Sequence, residues 1–337
     1  MAAMHALVDR VNSQVNSGIR PFDIGRDLRP VARLISEAFA DELDASGEAA
    51  LRELRMLGHM SGLIRLLTRG TGELQDVFSG FVWVEDGRLV GNVTVHRAAS
   101  QSGRWQIANV AVSPAYRGQG ISRMLMETAL EYIAEMRGSW AVLQVRQANE
   151  IARGLYERMG FENMGGSVEM RADRPPKQPS RPDLPNLHPI RPRDSQLLYE
   201  LAAGQQDAES QWWREVRRAD FERTLEDRLG EWFSLFLGRQ KHYRMAVQEF
   251  RHRFEAAVHV VARSWQGEHE IKLWARSDSA ERYQAQLILW ALDKLRDYPV
   301  WPIRASINLH HQTALRTLSQ WGFTPRYTLL TMRRRVG

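Results

Sequence analysis

The sequence predicts an α/β fold of the α+β type: a mixed, mostly antiparallel twisted sheet with helices on both faces, built twice in tandem. Three observations carry this reading. Residues 107–136 pass from an apolar strand through a glycine loop into an amphipathic helix. Residues 140–161 give a second strand and a short helix that ends on Gly160-Phe161. Across a proline-rich stretch the chain then repeats itself weakly. At 337 residues two domains are the default, each able to bury its own core.

Taken in order, Leu28–Ala40 and Ala49–Thr68 have helical spacing. Gly80–Glu85 and Leu89–Arg97 alternate and flank Asp86-Gly87, a hairpin turn. Ile107–Val112 reads as a buried strand that Ser113 and Pro114 end. After the loop Arg117, Gly118, Gln119 and Gly120, apolar residues fall on one helical face, from Ile121 through Leu125 and Ile133 to Met136. Trp140–Val145 is the next strand. Asn149 opens a short helix with Ala152, Leu155, Tyr156 and Met159 on one side, and Gly160 suits its left-handed cap. A final strand is expected near Ser167–Arg171.

Six prolines between Asp173 and Ile190 read as a stiff extended linker. Beyond it, Ile190-Arg191-Pro192 echoes Ile19-Arg20-Pro21. Ala129-Leu130-Glu131 matches Ala291-Leu292-Asp293, and Gly160-Phe161 matches Gly322-Phe323, at one shared offset of 162 residues. The expected division is 1–18 as an extension, 19–172 as one domain, 173–189 as linker and 190–337 as a second copy. In that copy Gln196–Ala203 and Phe221–Leu237 are helix candidates. Tyr243–Gln248, Phe254–Arg263 and Glu270–Ala275 are strand candidates. Carrying the offset back places Ser279, Ala280, Glu281 and Arg282 on Arg117 to Gly120, so both loop glycines are lost, and Leu318 replaces Tyr156. Most tryptophans lie in this half and read as core or interface packing.

There is no cysteine, which excludes disulfides, thiolate metal sites and a cysteine nucleophile. No apolar run is long enough to span a membrane and the N-terminus lacks a signal-peptide layout, so a cytoplasmic protein is expected. A net charge of +6 is mild, and nucleic-acid binding does not follow from it. His310-His311 has no carboxylate at ligand spacing, and no metal site is expected.

Strand, glycine loop and helix N-terminus together form an anion trap. The first N–H groups of a helix have no partner within it, and the aligned peptide dipoles put partial positive charge there. Gly118 and Gly120 let a phosphate approach the backbone. The spacing fits neither a Walker loop nor a complete Rossmann fingerprint. Arg117 to Ser122 reads R-x-x-G-x-S, which resembles the coenzyme A loop of the GNAT acyltransferase superfamily, with Ser122 where Gly or Ala is usual. The later N-x-x-A-x-x-L-Y-x-x-x-G-F run, Asn149 to Phe161, resembles the fourth helix of that family. The resemblance covers about residues 19–172.

The resemblance implies acetyl-CoA as co-substrate, no metal, and an amine acceptor that is a small molecule or a protein. It implies two parallel strands that splay apart to admit pantetheine, here the strand ending at Val112 and the strand at Trp140. Val110 and Val112 would offer backbone groups, with an N–H near Val110 stabilising the oxyanion. Arg117, Gly118, Gln119, Gly120, Ile121 and Ser122 would hold the pyrophosphate. Asn149 would bond pantetheine or cap its helix. Tyr156 would protonate the departing thiolate, a phenol near pKa 10 being slightly less acidic than a thiol near about 8.5. Some relatives place an acidic residue on the strand before the loop; here Gln106 and Asn109 cannot serve as base, and His96 on the adjacent strand candidate is either the base or a surface histidine at a strand end. Asp41 and Glu42, between the first two helices, would favour a cationic acceptor. A homodimer is compatible with this reading. So is a non-catalytic acyl-CoA sensor or interaction protein as the alternative function.

Overall fold

The computed structural model describes residues 17–39, 79–98, 103–176, 182–205, 240–249, 253–265 and 267–337. The helix candidates Ala49–Thr68 and Phe221–Leu237, and the residues Asp41 and Glu42, lie outside the described residues. In chain order the first elements are β1 Gly18–Pro21, α1 Ile24–Ala38, β2 Gly80–Glu85, β3 Arg88–Arg97, β4 Arg104–Val112, α2 Ile121–Glu135, β5 Trp140–Arg146, α3 Glu150–Arg158 and β6 Glu162–Ala172. There follow β7 Leu187–Pro189, α4 Ser195–Gln205, β8 Gln240–Val247, β9 Ala256–Arg263, β10 His269–Ala275, α5 Ala280–Leu295, β11 Ile303–Asn308, α6 Gln312–Gln320 and β12 Thr324–Arg335. No helix among the described residues is long and apolar enough to cross a membrane.

Two compact units form. The first holds Met1–Gln144, Gly154–Glu162 and Met332–Gly337; the second holds Val145–Arg153 and Asn163–Thr331. In the first unit β1, β2, β3 and β4 pair antiparallel in sequence order, and β5 joins β4 in parallel. Asp86 and Gly87 take φ 48° and 76°, which a two-residue hairpin turn of the primed type requires. Successive strand residues face opposite ways. Phe81 meets the Tyr132 ring of α2 edge-on at 5.6 Å, while its neighbour Val82 packs with Val31 and Ile35 of α1. The two helices therefore cover opposite faces. α1 begins four residues before its apolar pattern does, because Asp23 caps it, accepting from Gly25 N–H at 2.8 Å. Arg20 of β1 forks the buried Asp27 carboxylate with both terminal nitrogens, at 2.5 and 2.6 Å.

The second unit repeats this plan. β7, β8, β9 and β10 pair antiparallel, and β11 joins β10 in parallel after the long helix α5. The short helices α3 and α6 are each followed by a left-handed glycine, Gly160 at φ 81° and Gly322 at φ 84°. In each case the next phenylalanine N–H returns to a helix carbonyl: Phe161 to Tyr156 at 2.9 Å and Phe323 to Leu318 at 3.0 Å. Leu287, Ile288 and Leu292 of α5 fill the core over Val258, Val260 and Ile271, and α4 packs on Ala246 and Ala257. Trp290 is a core residue as the sequence suggests, whereas Trp265 is 64% exposed.

The proline-rich linker is not where the compact units divide. Its last residues form β7, an edge strand on β8, where Pro189 has no central ladder to disrupt. β6, the last strand of the first copy by sequence, belongs to the second unit. It pairs with β11 antiparallel from Ala172–Ile303 to Ser167–Asn308 and lies between β11 and β12. The chain's final residues belong to the first unit, where Val336 N–H donates to Ser139 O at 2.9 Å and Arg333 lies over the Trp140 ring. The cause is register: β6 fills the free edge of a strand that follows it by more than a hundred residues.

Candidate active site

The site is built on β4. Its parallel pairing with β5 covers only Arg104–Trp140, Trp105–Ala141 and Gln106–Val142. Beyond Gln106 the β5-side edge of β4 is open. On its other side β4 carries a bulge: Asn92 pairs with Ala111, but Thr94, two residues on, pairs with Ala108, three residues back. The extra residue contains a left-handed turn of the backbone at Asn109, φ 51°. Ladder directions change across it. Arg104 O accepts Ala98 N–H at 2.9 Å, so even-numbered residues before the bulge face β3. Ser113 N–H donates to Val90 O at 2.8 Å, so beyond the bulge it is the odd-numbered residues that face β3. Val110 and Val112 consequently direct their N–H groups at the open edge.

A turn after β4 leads into α2. Gly118 and Gly120 take φ 79° and 80°, and a Cβ at either would meet nothing closer than 4.0 Å. Their backbone conformation, not crowding, requires glycine. Gly120 is the N-cap of α2 and no side chain caps that end, which leaves the first N–H groups of the helix for an anion. Ile121 contributes only main chain, since its side chain is buried beneath Gly91. Ser122 is half-buried, and Gln119 is exposed. Arg117 is turned away: its Nη2 donates to Ala38 O at 3.2 Å and its Nε to Val112 O at 3.4 Å. It braces the loop against α1, and the Val112 carbonyl is thereby engaged.

Tyr156 sits on α3, 6% exposed, its ring against Phe161. Burial pushes the phenol pKa up to about 12. His96 is paired with Gln106 across β3 and β4, Nε2 to Oε1 at 3.1 Å. Asn149, in the second unit, caps α3 by accepting Ala152 N–H at 3.1 Å. Among the described residues no group of three His, Asp or Glu is placed to hold a metal ion. Asn92 and the bulge it faces are not among the site residues expected from the sequence. The available signal was an asparagine, Asn109, in the middle of the apolar run Ile107–Val112.

In the second copy the corresponding helix N-terminus is furnished differently. The N-cap of α5 is Ser279, whose hydroxyl donates to the buried Glu255 carboxylate at 2.7 Å. Arg253 Nη2 bonds both Glu255 and Asp278 at 3.0 Å. Ser279 thus takes the N-cap place that Gly120 holds in α2, and Arg282, which the offset of 162 places on Gly120, lies inside the first turn of α5. Arg282 is tied to Glu249 at 2.9 Å, and Tyr283 OH also donates to Glu249. Carboxylates of the chain itself stand at this helix N-terminus, and β10 pairs with β9 from Glu270–Val261 to Ala275–Ala256 without a slip.

Residues 53–161 match the Acetyltransferase (GNAT) family. A mycothiol acetyltransferase of Thermobifida fusca is 29% identical over 171 residues, 47% of this chain and 46% of that protein. The N-alpha-acetyltransferase RimI of Mycobacterium tuberculosis is 34% identical over 80 residues, 23% of this chain and 49% of that protein. The chain thus spans about half the length of these curated relatives. Over 96% of the chain the fold resembles a GCN5-related N-acetyltransferase from Sphaerobacter thermophilus, with a TM-score of 0.60, 17% identity and 97% of that chain covered. Over 95% it resembles a tandem GNAT protein from the clavulanic acid biosynthesis pathway, with a TM-score of 0.55, 15% identity and 99% of that chain covered.

Proposed function

Because the chain carries a domain of the GNAT acetyltransferase family, we propose that it transfers an acetyl group from acetyl-CoA to an amine in its first copy. The open edge of β4, with the Val110 and Val112 N–H groups directed at it, carries the reading. A pantetheine arm is a chain of amides and needs such main-chain partners. The uncapped N-terminus of α2 beside Gly118 and Gly120 suits the pyrophosphate.

In the reaction the amine nitrogen bonds the thioester carbonyl carbon, the C–S bond breaks, the nitrogen loses a proton and the sulfur gains one. The Val110 N–H is proposed to stabilise the oxyanion of the tetrahedral intermediate. Tyr156 is proposed to protonate the sulfur, since a phenol with a pKa of about 12 is never short of its proton near neutrality. His96 is the proposed base, with Gln106 fixing its ring. Asp41 and Glu42 are proposed to attract a cationic acceptor.

The test is a screen of small amines and of peptides with free α-amines, with acetyl-CoA as donor and free thiol as the readout. Relatives named for mycothiol and for α-amines justify keeping both classes. Turnover with any acceptor supports the reading. Tight acetyl-CoA binding with no turnover throughout would select the sensor instead.

A further inference from the structure

Asn92 is 2% exposed in the middle of β3, a place where strands favour β-branched and aromatic residues. A buried amide must find partners. Asn92 Nδ2 donates to the main-chain carbonyl of Asn109 at 2.9 Å, the residue at φ 51°. A second tie runs from Asn109 Nδ2 to Thr94 Oγ1 at 3.3 Å. Two neighbours on β3 thus hold one bulged residue of β4 through side chains, where regular ladder bonds are interrupted.

Without the extra residue, alternation would continue through β4. The N–H groups of Val110 and Val112 would then face β3 and be consumed by its carbonyls. The second copy supplies the comparison. Its β9 reads AAVHVVAR, with no asparagine; β10 has no left-handed residue and pairs without a slip. The clamp and the bulge are present together in the copy with the glycine loop and absent together in the other.

We propose that Asn92 is a positioning residue for acyl transfer: its amide holds Asn109 in the bulge that turns the Val110 and Val112 N–H groups to the open edge. This rests on the acyltransfer reading of the site. Asn92→Leu keeps the branched outline of the side chain, with somewhat more bulk, and removes the donor. It should lower kcat roughly tenfold or more, in line with the loss of an aimed oxyanion donor. In the free protein, amide exchange at Val110 and Val112 should become slower than in the wild type, because both groups enter the ladder with β3. Adding Asn109→Gly should restore part of kcat and the fast exchange, since glycine takes the left-handed conformation without strain.

Wild-type kcat and exchange in Asn92→Leu would overturn the proposal. So would a loss of kcat that follows a loss of thermal stability and is not relieved by Asn109→Gly, which makes Asn92 a packing residue. If the wild type turns over no acceptor, the acyltransferase reading fails by itself, and the exchange measurements still decide whether Asn92 sets the bulge.

Discussion

Tyr156 and His269 show how burial gives single residues opposite pH behaviour. Tyr156→Phe keeps the ring against Phe161 and removes only the acidic proton. Turnover should fall roughly 10²-fold or more, with acetyl-CoA affinity and thermal stability nearly unchanged. Near-normal turnover would return Tyr156 to the core. Its folded pKa of about 12 lies above the unfolded value of about 10, so the unfolded chain loses this proton first. Stability from Tyr156 is therefore lost only as pH rises through that window. Any rise in rate between about pH 6 and 9 reports deprotonation of the amine or its base, and a pH–rate profile checks this. His269 is fully buried, and desolvation lowers its pKa. Its Nδ1 accepts Arg263 N–H at 3.1 Å and its Nε2 faces Pro299 O at 3.0 Å, an arrangement that needs the neutral ring. Stability should be full above about pH 6.5 and decline as pH falls toward the lowered value. Denaturant titrations at pH 7.5 and 5 measure this, and His269→Gln should flatten the slope.

The loop–helix junction behaves as an element. Gly120→Arg puts a bulky side chain on the N-cap residue of α2, at φ 80°. It should abolish acetyl-CoA binding while the domain stays folded, and calorimetry on the wild type should give one site per chain. Two equivalent sites would contradict the account of Glu255 and Glu249 as the anions of the second copy. The sequence displayed this element clearly. Periodicity from Ile121 to Met136 marked the helix, and the paired glycines marked a loop open to a phosphate; their positive φ is a property of the fold. The direction of Arg117 is not written in the sequence: a basic residue beside a phosphate loop suggests a phosphate ligand, and its side chain here donates to the carbonyls of Ala38 and Val112. The bulge was only hinted at, by Asn109 amid the apolar run, for a different reason. One inserted residue changes which N–H groups face which edge, and nothing in β4 alone reveals the register of its partner.

For the whole molecule, the interleaved units make a strong demand on where the chain can be cut. A fragment 190–337 lacks β6 and leaves β11 without its antiparallel partner, baring an edge next to Ile303 and Ile307. It should aggregate or melt well below a fragment 162–337, which retains β6. Equal stability of the two by thermal unfolding would show that β6 is dispensable to the second unit. Removal of residues 332–337 should in turn destabilise the first unit, where Val336 and Arg333 make their contacts.

The sequence by itself did not show β1, β7, β11 or β12; it determined the run of elements from β2 to β6, the first strands of the second copy, the glycine loop and the weak repetition. Each is written locally, in periodicity, turn residues and a shared offset that neighbouring residues express without help. The tertiary structure alone decided the rest. It settled which strand completes which unit, because β6 and β11 meet only once distant segments are folded. It set the aim of the Val110 and Val112 N–H groups, because that depends on Asn92 across the ladder. It raised the Tyr156 pKa to about 12, because desolvation belongs to the surroundings of a side chain and not to the residue itself.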